Sequence, residues 1–243
     1  MKRRDLLKSA VIAAGGALTL SGCKSEDNPN TSKDDSDFLD IKPKQTDVYK
    51  LSAPLTFDHN NLDRLAELNQ KYKKSQVEVL YNNIPWPATE KFNELFQTRR
   101  GENKEIKNVA DFNQYAKHAT DNGFKVCYLI NSPKPFNDRD IKDLLPDFYK
   151  LLDDLYEAGI RNIKIASPQV AELINRHNKD FELTASVLFE YHNVIQYKYL
   201  LNLIPNIKRI VVTKDENQNF KYLRNLRKMF PDVTLEMMVD EGC

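Results

Sequence analysis

The sequence predicts a parallel α/β barrel, and three observations predict it. Short β-rich runs alternate with helical stretches over most of the chain, the pattern of βα units. The unit repeats about every two dozen residues from Lys125 onward, which suits a TIM-like (β/α) barrel. With only 7 glycines, the chain carries neither G-x-G-x-x-G nor G-x-x-x-x-G-K-[ST]. An open sheet with a glycine-rich first turn therefore loses its signature, and with it dinucleotide and P-loop nucleotide binding.

In chain order, the first element is an address. "MKRRDLLKSAVIAAGGALTLSGC" has a basic start, an apolar run over 10–20 and small residues before a cysteine. That is the order of regions in a signal peptide, and it is short for a membrane span. Arg3 and Arg4, followed by Asp5, Leu6, Leu7 and Lys8, resemble a twin-arginine export signal, with Lys2 and Leu6 replacing the usual Ser/Thr and Phe. Leu20-Ser21-Gly22-Cys23 resembles a bacterial lipobox, in which Cys23 is acylated and becomes the mature N-terminus. The next stretch, "KSEDNPNTSKDDSDF", is polar and lacks an apolar face, as a disordered tether would. The expected organisation is a leader over 1–22, a tether over 23–46 and a barrel domain over 47–243. The protein is expected to be exported and lipid-anchored in a bacterial cell envelope, with the export machinery and the membrane as partners.

Strands are expected at 48–51, 77–81, 125–130, 162–165, 182–187, 208–212 and 234–239. Leu129, Ile130, Ile163, Ile165, Val211 and Val212 should be buried, since central parallel strands are covered on both faces. Between strands, Leu62, Leu65, Ala66 and Leu68 make one apolar helix face; Leu144, Leu145, Phe148, Leu151, Leu152 and Leu155 make a stronger one. Gly123 and Gly159 fall where helices should end, which suits a left-handed cap. Asp215 and Glu216 are expected to open the last helix, as acidic residues favour helix N-termini. Seven strands leave a barrel one short of eight, so the sequence is expected to be a fragment of a longer one.

Charge bounds the partners. With 36 Lys+Arg against 35 Asp+Glu, a basic surface spread over the chain is excluded, and no nucleic-acid partner is expected. The run "QTRRGENKEIK" mixes both signs and reads as a solvated loop. The cysteines, at 23, 127 and 243, form no C-x-x-C pair and supply no four-cysteine metal site.

A barrel gathers the residues just past its strands at one mouth. These are Asn82 and Asn83, Asn131 and Ser132, Ser167, Glu190 and His192, Thr213 and Lys214, and Asp240, Glu241 and Cys243. Singly, such residues often cap helices; as a set they mark the site. Asn131 and Ser167 are candidate binding residues. Asp240, Glu241 and His192 are candidates for acid–base chemistry or a divalent metal, although no histidine pair has metal-ligand spacing. Trp86, the single tryptophan, lies between Pro85 and Pro87 and either stacks on a ligand or lids the core.

The stretches "LYNNIPWP", "VCYLINSPKPFN", "YEAGIRNIKIASPQVAELI", "FELTASVLFEYHN" and "LEMMVDEGC" resemble, in order and spacing, the peptidase U32 family of collagenase-like proteases. The branch they resemble most includes accessory proteins of ubiquinone biosynthesis and RNA hydroxylation. Tyr128-Leu129-Ile130-Asn131 and Val239-Asp240-Glu241-Gly242-Cys243 match strand-end motifs of that family. The resemblance implies hydrolase or hydroxylation-accessory chemistry. In longer relatives it implies a cysteine-rich segment holding an iron–sulfur cluster, of which only Cys243 is present here, so no cofactor is expected in this chain. The competing expectation is a non-catalytic lipoprotein that binds a ligand or partner at the barrel mouth.

Overall fold

The computed structural model describes residues 48–83, 92, 96, 106, 108–133 and 138–239, the side chains of 138–140 excepted. The expected leader with Arg3, Arg4 and Cys23, the expected tether, Trp86, Asp240, Glu241 and Cys243 lie outside the described residues.

Seven strands form one parallel sheet in sequential order: β1 (Tyr49–Pro54), β2 (Ser75–Asn82), β3 (Lys125–Ile130), β4 (Asn162–Ile165), β5 (Glu182–Ala185), β6 (Ile207–Val211) and β7 (Thr234–Glu236). Helices α1 (His59–Lys71), α2 (Val109–Asp121), α3 (Asp138–Glu157), α4 (Pro168–His177), α5 (Val194–Leu203) and α6 (Phe220–Met229) lie between them. Sequential order without reversal makes a sheet that curls in one direction. The curl is deep enough for Ser52 of β1 to donate a 3.1 Å hydrogen bond to Glu236 of β7, the strand at the opposite edge. The fold is a TIM-like half-barrel.

Two faces of each strand explain the composition. On the outer face Val126, Tyr128, Ile130, Ile163, Ile165, Leu183, Ala185, Ile210 and Val212 pack into one core with helix residues such as Phe112, Phe148, Leu151 and Ile174. Cys127, Leu129 and Val211 are also buried but alternate with that set and face the lumen. All six residues expected in the core are buried.

Helix ends follow local chemistry. Gly123 and Gly159 adopt φ of +84° and +82°. Behind each, a pair of bonds closes the helix: Phe124 N–H to Ala119 O with Gly123 N–H to Thr120 O, and Ile160 N–H to Leu155 O with Gly159 N–H to Tyr156 O.

Four expectations need correction. The strand expected over 234–239 stops at Glu236. The strand at 182–187 stops at Ala185, because Val187–Phe189 turns into a short 3-10 helix capped by the Ser186 hydroxyl. Asp215 and Glu216 do not open the last helix. They sit in a separate 3-10 turn, Lys214–Glu216, and α6 starts at Phe220 with the Asn219 side chain accepting from Tyr222 N–H. Leu68, assigned to the buried face of α1, is 37% exposed, whereas Leu62 is buried.

Candidate functional site

The inward positions of the strands carry charge. Lys164 stands between Ile163 and Ile165 in β4, and strand alternation turns it into the lumen, where its side chain is only 11% exposed. Its Nζ lies 3.1 Å from Glu236 Oε1 and 4.8 Å above the ring of Tyr81. Arg209 of β6 donates from Nη1 to Glu236 Oε2 at 3.0 Å, the oxygen that also accepts from Ser52. One carboxylate of β7 thus holds β1, β4 and β6 together. Arg209 also approaches Glu78 of β2 at 4.0 Å, and Glu78 is paired with Lys50 at 3.0 Å and Lys125 at 3.3 Å.

Electrostatics fix the protonation of these groups. Burial works to raise the Glu236 carboxyl, but the charges of Lys164 and Arg209 and the hydrogen bonds from Lys164 and Ser52 overcome it, holding it below the usual carboxylate range. Glu78 is lowered in the same way: burial opposes, and Lys50 and Lys125 prevail. Cys127 goes the other way. Burial pushes its thiol up to about 11 against the nearby charge of Lys164, so at neutral pH it is a thiol and not a nucleophilic thiolate.

Above this charged layer, at the C-terminal ends of the strands, a polar rim is buried. Asn83 follows β2, Asn131 and Ser132 follow β3, Ser167 follows β4, Ser186 follows β5 and Thr213 follows β6; each is at most 8% exposed. The structure therefore brings Asn131 and Ser167 to one mouth, as expected. Ser167 holds the N-cap position of α4, yet its side chain makes no capping bond. Glu190, in the loop beyond β5, has φ +51°, a left-handed conformation that costs a non-glycine residue about 1–3 kcal/mol and collects at functional loops.

His192 stands apart from the lumen layer. Its side chain is 53% exposed and lines a recess of about 560 Å³ between α5 and α6 with Ile195, Tyr222 and Met229. The described carboxylate facing it is Glu216, 3.7 Å away.

Sequence reasoning missed Ser52, Glu78, Lys164, Arg209 and Glu236. The signal was present: "NIKI", "IKRIV" and "TLE" each place a charge inside a strand expected to be covered on both faces. A lone charge at an alternate position of such a strand has only the lumen to enter.

The iron–sulfur cluster implied for longer relatives requires several soft thiolates. The one cysteine among the described residues, Cys127, is held as a buried thiol, so it does not fit a thiolate donor set. Among the described residues, no group of three His, Cys, Asp or Glu could hold a metal ion.

Comparison with known proteins agrees with this architecture. The model of peptidase family U32 matches residues 88–241. The U32 peptidase Mk0906 superposes with a TM-score of 0.57 at 14% identity, covering 80% of this chain and 69% of that one. A xylose isomerase domain protein from Planctomyces limnophilus superposes with a TM-score of 0.51 at 12% identity, covering 82% and 81%. At such identities the likeness is one of fold. No curated protein matches the sequence.

Proposed function

The chain belongs to peptidase family U32, and from that premise we propose that it serves as a membrane-tethered barrel domain that takes peptide-like molecules at the C-terminal mouth of its sheet. The observation carrying this reading is the convergence of five strand ends on buried polar side chains at one rim, where parallel barrels place their ligands. The family supplies the substrate class. Lipid attachment at Cys23 and export through Arg3 and Arg4 complete the proposal, supported by the order of basic, apolar and lipobox segments and by the polar tether. It places the barrel outside the cytoplasm, held at the cell envelope.

Two forms of this function differ in chemistry. A hydrolase or hydroxylation-accessory role follows from family membership, with Asp240, Glu241 and His192 as its candidate acid–base groups. Binding without cleavage is favoured by the lumen itself. Among the described residues its two carboxylates, Glu236 and Glu78, are committed to cations, and Cys127 is held protonated. Incubating the full chain with gelatin-derived peptides separates them, with mass spectrometry for new peptide ends and calorimetry for association. New ends establish the hydrolase, and saturable heat without new ends establishes the binder. Neither signal would remove peptide-like molecules as the ligand class.

Tethering has its own test. In a bacterial host the wild-type protein should partition with membranes, and Cys23→Ala should move it to the soluble fraction or leave the precursor uncleaved. Arg3→Lys combined with Arg4→Lys should block export. A Cys23→Ala protein, freed of its leader, that stays with membranes would refute the anchor.

A further inference from the structure

Resting on the peptide-binding reading above, we propose that Asn83 and Thr213 form the two poles of the ligand site, and that they take the backbone N–H and C=O of an extended, uncharged peptide segment laid across the mouth. Both residues are almost fully buried, at 2% and 4% exposure, and both keep a side-chain oxygen with no hydrogen-bond partner: Asn83 Oδ1 and Thr213 Oγ1. A buried polar atom left unpaired is costly, and in a folded protein its persistence calls for a reason. A ligand that completes it supplies one.

The ordinary explanation fails for each residue. Thr213 occupies the N-cap position of the 3-10 turn Lys214–Glu216, where a threonine hydroxyl would usually accept from the turn's amides, yet it makes no such bond. Its backbone carbonyl alone serves the turn, accepting from Glu216 N–H. Asn83 directs its amide nitrogen at Leu129 O across a long 3.5 Å contact. That carbonyl can only accept, so reversing the amide would set two acceptors against each other. Oδ1 is therefore the atom left without a partner.

Placement and chemistry select the ligand. Asn83 ends β2 and Thr213 ends β6, four strands further along a curled sheet, so they stand on opposite sides of the lumen. Strand alternation puts Thr213 on the inward face with Arg209 and Val211, and Asn83 on that of Tyr81, which contacts lumen Lys164. Asn83 Oδ1 accepts only and requires a donor; Thr213 Oγ can donate to a carbonyl. An anionic group would set its oxygens against Oδ1. A peptide backbone offers one donor and one acceptor per residue, at about 3.3 Å per residue when extended, and so can span two poles.

Calorimetry on the full chain with an acetylated, amidated tripeptide of small uncharged residues, and with its ester analogue lacking the central N–H, tests the assignment. The tripeptide should bind. The ester, and separately Thr213→Val, should weaken binding roughly tenfold each, one neutral buried hydrogen bond apiece. Thr213→Ser, which keeps the hydroxyl, should retain binding. Thr213→Val should also raise the melting temperature of the ligand-free protein, because it replaces an unpaired buried hydroxyl by a methyl group. A structural hydroxyl would give the opposite shift. Binding of the tripeptide that is indifferent to Thr213→Val and to the ester would overturn the two poles while leaving peptide binding in place. Binding of maltotriose in place of the tripeptide would overturn both.

Discussion

Glu236 shows how much one residue can decide. It is the last residue of a three-residue strand, 15% exposed in its side chain, and it meets Ser52, Lys164 and Arg209. Replacing Glu236 by Gln keeps the shape but leaves two cations facing a neutral amide. The expected loss is about 3 kcal/mol, the low end for an uncompensated buried pair, since Arg209 also approaches Glu78. The sign with pH is set by the same contacts. Glu236 and Glu78 are both depressed in the folded protein from a reference of 4.5, so their stabilisation is complete above that pH and is lost as pH falls through the folded values. Denaturant midpoints measured from neutral pH into acid should drop below about 4.5, and Glu236→Gln should flatten that slope. A midpoint as pH-dependent in the variant as in wild type would show that the acid sensitivity lies elsewhere. Cys127 makes a second residue-scale test. With its thiol buried and pushed up to about 11, it should resist iodoacetamide at pH 7.5 in the native protein and react once unfolded, as read by peptide mass spectrometry. Lys164, Arg209 and Glu236 were legible only as charges inside apolar runs; which partners they meet, and the part of Ser52, show only after the strands' two faces are known. Asn131 and Ser167 were legible, since a residue just past a β-rich run keeps its place in any parallel barrel.

At the scale of elements, legibility followed burial. The strands at 125–130 and 162–165 have the predicted bounds, because residues such as Ile163 and Ile165 admit no alternative to a covered position. Ends governed by capping were harder. The acidic pair Asp215 and Glu216 looked like a helix start, but the Asn219 side chain accepts from Tyr222 N–H and makes the true one, four residues beyond Asp215. Asn219→Ala should therefore cost about 1 kcal/mol of stability, the usual price of a lost N-cap, whereas Asp215→Ala should change little. Equal losses in chemical denaturation would restore the sequence-based assignment. The strand over 182–187 ended early for a related reason: the Ser186 hydroxyl accepts from Leu188 N–H and turns the chain, a local bond that β propensity at Val187 does not outweigh.

For the whole molecule, the sheet's order implies a gradient of stability. Central strands β3, β4 and β5 are buried along nearly all their length, whereas β1 carries Tyr49 at 65% and Leu51 at 44% exposure and β7 has only three residues. β1 pairs only with β2 and β7 only with β6 among the described residues, so each contributes one ladder where central strands have two. What joins them is the bond from Ser52 to Glu236, backed by the cations that hold Glu236 in place. Side-chain bonds across a lumen are fewer than a backbone ladder, and segments with few buried contacts open at lower free energy than the global transition. Native-state hydrogen exchange read by mass spectrometry should accordingly find β1 and β7 exchanging well before β3 to β5. Glu236→Ala should speed β1 and β7 together, because it removes the acceptor of the shared bond, while central strands shift only by the global loss. Independent responses of β1 and β7 would mean that the lumen carboxylate does not couple the two edges. Protection of β1 equal to that of β4 would mean that the curl is held by something other than this cluster.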